Sequence, residues 1–139
     1  MGRGKDMKRI FIAQKMTGLS EKEIMKNRKI CTDYLKEHPP KGFEGEKEIE
    51  YIDYYSQDAP PPEAVEHTHE RLWYLGHSIQ LLSTADLVIF AHDAADAKGC
   101  VVQRMLCEMY DIPFLEMELH TFNSTIKAAC WNLAGVFNH

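Results

Sequence analysis

The chain lacks any apolar run near the roughly 18 residues a membrane-spanning helix needs, which excludes an integral α-helical membrane protein. Its start lacks the charged, apolar, small-residue succession of a secretion leader. Met1-Gly2 opens a myristoylation pattern that Asp6 breaks, since Ser or Thr is wanted there. The four cysteines, Cys31, Cys100, Cys107 and Cys130, form no CxxC pair and no disulfide framework, so the expected compartment is the reducing cytoplasm. Positive charge is scarce: 16 Lys and Arg face 21 Asp and Glu, a net charge of -5. A general nucleic-acid binder needs a basic surface to displace phosphate counterions, and this balance argues against one. The one basic cluster, Arg3, Lys5, Lys8 and Arg9, reads as a solvated start, with residues 1–7 expected to be a flexible tail. No Walker loop occurs and no GxGxxG follows the first strand, so P-loop and dinucleotide-binding readings both fail.

What is present is an ordinary globular composition. A chain of 139 residues that is 45% hydrophobic suits one core and a single domain over 1–139, with no internal repeat. Lys8 to Ala13 is a β-rich apolar run. Ser20 and Glu23 then form an S-x-x-E capping box, opening a helix whose apolar face is Ile24, Cys31, Tyr34 and Leu35. Pro39-Pro40 stops it near His38. Glu48 to Asp53 is expected as a second strand, followed by a loop from Tyr54 to Pro62 whose length suggests a function. Leu72, Leu75, Ile79 and Leu82 fall at helical spacing. Asp86 to Ala91 is an uninterrupted apolar run, the pattern of a strand covered on both faces. Gly99 opens a helix to about Tyr110, with Val102, Leu106 and Met109 as its expected core stripe beside a polarisable stripe of Gln103, Cys107 and Tyr110. Pro113 to Met117 is a fourth strand, and Ile126, Cys130, Leu133 and Phe137 mark an expected closing helix.

Strands alternating with helices imply parallel β-α units. The expected fold is therefore α/β: a three-layer α/β/α sandwich, flavodoxin- or Rossmann-like, with a doubly wound, mainly parallel sheet of four to five strands. In such folds ligands sit beyond the carboxyl ends of the strands, where strand order reverses. That nominates the loops Gln14 to Leu19, Asp53 to Pro62 and His92 to Gly99. Gly99 lets backbone approach a ligand, and Gln103, one turn on, can hydrogen-bond a sugar or base. Metal chemistry finds little support. His67 and His69 are two apart and would diverge on a helix, and His92, Asp93 and Asp96 lack a fourth anchor. No metal and no cofactor are expected.

Three segments resemble one family. Tyr74 to Phe90 (YLGHSIQLLSTADLVIF) is similar to the second helix and third strand of the nucleoside 2-deoxyribosyltransferase-like superfamily. Lys98 to Gln103 (KGCVVQ), continued to Ile112-Pro113, resembles that superfamily's catalytic helix and next strand, and Ile12 to Leu19 (IAQKMTGL) its first-strand loop. The likeness spans about Lys8 to Met117 and is nearest to small phage and bacterial members. It implies N-glycosidic transfer or hydrolysis on deoxynucleosides or nucleotides: a Glu four residues after the loop glycine attacks the anomeric carbon, and a base or water resolves the glycosyl-enzyme. Here that position is Gln103, whose neutral amide is a very poor nucleophile. The family Asp eight residues before Asp86 is Ser78, and the Asp or Ser two before the glycine is Ala97.

Three readings follow: an enzyme using another carboxylate among Asp53, Asp93 and Asp96, a non-catalytic nucleotide sensor or sponge, and a structural or partner-binding protein. For the first two, the catalytic positions are Gln103 and Ser78, and the substrate-binding candidates are Gln14, Lys15, Met16, Gly18, Asp53, Asp93, Asp96 and Gly99. Met16 would pack on the base and Lys15 would meet a phosphate. Asp53 would accept from a sugar hydroxyl or base edge. The resemblance also implies a homo-oligomer, with Tyr54, Tyr55 and Trp73 as candidate interface anchors.

Overall fold

A computed structural model describes residues 7–45, 48–52, 69–122 and 125–132. Asp53, Tyr54, Tyr55, the loop to Pro62, His67, residues 1–6 of the expected tail, and Leu133 and Phe137 lie outside these described residues. The elements are β1 (Lys8–Ala13), α1 (Glu21–Glu37), β2 (Ile49–Ile52), α2 (Glu70–Leu82), β3 (Leu87–Phe90), α3 (Lys98–Met109), β4 (Phe114–Phe122) and β5 (Thr125–Asn132). One sheet carries them in the order β2-β1-β3-β4-β5. β2, β1, β3 and β4 run parallel, and β5 returns antiparallel to β4. None of the described helices is long and apolar enough to cross a membrane.

β1 is the middle of this arrangement. Ile10, Phe11, Ile12 and Ala13 are wholly buried, because the strand pairs on both edges and is covered on both faces. Alternation sends its residues to two cores. Ile10 and Ile12 join Leu87, Ile89 and Leu115 against Cys31 and Leu35 of α1. Phe11 and Ala13 join Val88, Phe90 and Phe114 against Leu82 of α2 and Cys100 and Cys107 of α3. This is an α/β sandwich with helices on both faces of a mainly parallel sheet. The α1 start is as the sequence predicts: Ser20 Oγ accepts from the Glu23 N–H at 3.1 Å, and Glu23 Oε1 accepts from the Ser20 N–H at 2.9 Å.

Three expectations are corrected. Residues 125–132 form β5 rather than a closing helix, in register Glu116↔Asn132 to Phe122↔Thr125. Thr125, Ile126 and Trp131 are β-branched or aromatic, and pairing satisfies the otherwise open edge of β4. The helical spacing of Ile126 and Cys130 gave way to that ladder. On α3 the expected core stripe is not the buried one: Cys100, Gln103 and Cys107 are buried, while Val102 is 38% exposed and Met109 69% exposed, and Tyr110, expected beside Gln103 and Cys107, is itself 69% exposed. Phe11, Phe90 and Phe114 fill the space under this helix, so its small side face is the one that fits. Leu72 on α2 is likewise exposed rather than part of its buried face.

The double burial of β1 sets an expected cost. Phe11→Ala should lower unfolding free energy by about 3–5 kcal/mol, read as a urea midpoint shift, a large share of a typical domain's 5–15 kcal/mol.

Candidate functional site

The strand order fixes where a crevice can open. From β1 the chain steps to β2 on one side and later to β3 on the other, so the loops after β1 and β3 diverge at the carboxyl edge. The last rung between them is the Ala91 N–H donating to the Ala13 carbonyl at 2.8 Å. Beyond it lies a cavity of about 540 Å³, within the range of small-molecule sites, lined by Lys15, Leu19, Asn27, His92, Asp93 and Asp96 among others. Three of the sequence-nominated residues, Lys15, Asp93 and Asp96, therefore meet in one place.

Their geometry is held by hydrogen bonds across both loops. Asp93 Oδ1 accepts from the Lys15 backbone N–H at 3.3 Å, and Asp93 Oδ2 accepts from Asn27 Nδ2 at 3.0 Å. Lys15 Nζ lies 3.7 Å from Asp96 Oδ2, a loose pair whose acidic partner is largely in water. Such a pair contributes little to stability and is free to exchange for a ligand group. Asn27, on the polar side of α1, was invisible to sequence reasoning, since nothing in its local pattern signals a contact 66 positions away.

The other nominated residues sit around this crevice rather than on it. Gln14 is buried, its Nε2 donating to the Ile24 carbonyl at 2.9 Å, which ties the end of β1 to the first turn of α1. Met16 is half-buried and its carbonyl accepts the Leu19 N–H at 3.1 Å, closing a turn in which Gly18 adopts φ +84. That left-handed conformation is the reason for glycine there. Gly99 lies in the first turn of α3. A Cβ there would stand 3.6 Å from Leu75 Cδ1, an ordinary contact between α3 and α2.

Gln103 and Ser78 are brought together in the interior. Both are buried, and neither lines a described cavity. Ser78 Oγ donates its only proton to the Leu75 carbonyl at 2.7 Å, and Gln103 Nε2 donates to Ser78 Oγ at 2.8 Å. The hydroxyl proton is committed, so position 103 must present a donor. An amide does this, whereas a carboxylate has no proton to give and would have to draw the Ser78 proton away from Leu75. Gln103 Oε1 has no partner among the described residues.

A second cavity of about 590 Å³ lies between α3 and β4, which runs past its last pairing with β3 at Glu116. Arg104, Glu108, Glu116 and Glu118 line it, and Arg104 Nη2 pairs with Glu116 Oε1 at 3.3 Å. Cys100 also lines it. Burial, and then the negative charges of Asp93 and Asp96, push its thiol from 9.0 up to about 12. Cys107 is pushed to about 12 by burial and by Glu108. Cys31 rises to about 12 through burial, opposed by Arg28 and assisted by Asp93. A protonated thiol is a weak nucleophile, so these cysteines are packing residues.

Two outcomes follow. Ser78→Ala should cost about 1–3 kcal/mol in denaturant unfolding by stranding the Gln103 amide, and adding Gln103→Leu should recover much of that loss. The three thiols should resist iodoacetamide at pH 8 in the folded protein and react in urea. Because the folded chain holds their protons above the range in which an unfolded chain releases them, stability should be full below pH 9 and fall as pH rises from 9 toward 12. Compared with protein-family models, curated proteins and solved structures, the chain matches none.

Proposed function

We propose that this chain is a nucleoside- or nucleotide-binding protein with the fold of the nucleoside 2-deoxyribosyltransferase-like superfamily, which holds its ligand at the β1/β3 crevice without cutting the glycosidic bond. The observation that carries this reading is the state of Gln103. Its neutral amide is buried, bonded to Ser78 and not among the residues that line the crevice, whereas covalent glycosyl chemistry needs an open, charged carboxylate at that position. The crevice itself keeps the features of a binding site: a lysine held loosely, a carboxylate fixed by two donors, and a volume suited to a nucleoside.

In this reading the protein acts as a sensor or sponge for a nucleotide derivative. Its buried thiols suit the reducing cytoplasm, and the family likeness suggests a homo-oligomer. Neither a metal, a cofactor, a membrane nor general nucleic-acid binding enters the proposal.

The test is a thermal-shift series with deoxynucleosides and their 5′-monophosphates, paired with chromatography for free base. The expected result is a saturable rise in melting temperature, equivalent to about 2.7 kcal/mol at one hundred times the dissociation constant, with no base released. Base release by the wild-type protein would overturn the non-catalytic reading and turn attention to Asp93 and Asp96. No shift with any compound would overturn ligand binding altogether.

A further inference from the structure

His92 is the first residue beyond the last rung of the β1/β3 ladder, so its backbone position is fixed by the Ala91–Ala13 hydrogen bond immediately before it. It is a wall residue of both cavities. Its Nδ1 is buried and has no hydrogen-bond partner among the described residues. Beside it in the crevice, both oxygens of Asp93 already accept protein donors. Among the described residues lining the crevice, His92 is therefore the one with a buried ring atom still to be satisfied, and such an atom gains when a bound molecule reaches it.

The surroundings select the class of group that does so. Lys15, Asp93 and Asp96 share the crevice lining with His92, and Arg104 and Glu108 of α3 with Glu116 and Glu118 of β4 share with it the lining of the second cavity. Carboxylates outnumber cations five to two, a field that disfavours a phosphate dianion at this point and suits an uncharged partner. A hydroxyl serves either tautomer of a neutral imidazole, since it donates and accepts. Resting on the crevice as a nucleoside site, we infer that His92 is a ligand-contacting residue whose Nδ1 hydrogen-bonds a sugar hydroxyl of the bound nucleoside. No position in the family likeness assigns it this role.

The experiment combines titration calorimetry of wild type, His92→Ala and His92→Asn with ¹⁵N NMR of the histidine rings, using the four common 2′-deoxynucleosides as probes. The expected result is a displaced Nδ1 resonance of His92 on adding a nucleoside to wild type. His92→Ala should bind about tenfold more weakly, and His92→Asn, which returns a polar atom near the Nδ1 position, should recover most of that loss. The wild-type resonance reads the contact without any variant, so misfolding of His92→Ala does not obscure the answer. An unmoved Nδ1 resonance under saturating nucleoside, or equal affinity in wild type and His92→Ala, would overturn the inference while leaving the crevice as a binding site. Failure of every nucleoside to bind wild type would instead sink the binding reading, and this inference with it.

Discussion

The pairing of β1 with β3 is the constraint from which the rest of the molecule follows. It is pinned at its lower end by reciprocal bonds between Arg9 and Asp86, with Asp86 Oδ2 accepting the Arg9 N–H and the Asp86 N–H donating to the Arg9 carbonyl, each at 2.8 Å. It closes at its upper end with Ala91 on Ala13. Between these points the strands share four rungs, Ile10↔Leu87 to Ala13↔Phe90, and divide two cores that meet opposite faces of the sheet. Because the chain turns to opposite sides of β1 before and after this pairing, the crevice opens directly above it. The positions of Lys15, His92, Asp93 and Asp96 are thus consequences of a backbone ladder.

The site has two zones with different physical characters. The crevice carries charged side chains and is held by bonds between loops, and its Lys15–Asp96 pair, loose and largely in water, can exchange partners. The Gln103–Ser78 pair is dry and lies between α2 and α3, where an unmatched donor or acceptor is costly. A buried network of this kind constrains its members to one protonation pattern. The amide at 103 matches the Ser78 hydroxyl as it stands, since its Nε2 supplies the donor that this oxygen can accept. Cys100, whose raised thiol feels Asp93 and Asp96, marks the boundary between the two zones.

Much of the fold was legible because each signal had a local cause. The capping box at Ser20 and Glu23, the apolar runs at Lys8–Ala13 and Leu87–Phe90, and the loops they feed all declare themselves within a few residues. What failed depended on neighbours remote in sequence. Ile126 and Cys130 have helical spacing, yet β4 offered an open edge that only a strand could pair. Val102 and Met109 look more apolar than Gln103 and Cys107, yet three phenylalanines had already filled the space the larger stripe would need. In the site, Lys15, Asp93 and Asp96 were readable from strand-end geometry, whereas Asn27 was not, since its role exists only once α1 folds back over the β3 loop.

The register of the central ladder also has a temporal meaning. Phe11 pairs with Ile52 and with Val88, partners 41 and 77 positions further along the chain. At a synthesis rate of about 5–20 residues per second, the second partner is made roughly 4–15 s after the first strand. Throughout that interval Ile10 to Ala13, wholly buried in the finished protein, has an unfilled edge. Pairings this distant also close late in folding, because the loop entropy must be overcome before the contact forms. The β4–β5 hairpin, local in sequence, has no such delay. The nascent chain therefore carries an apolar strand with an open edge throughout that interval, and the time before β3 emerges is when a holding chaperone would have its natural target.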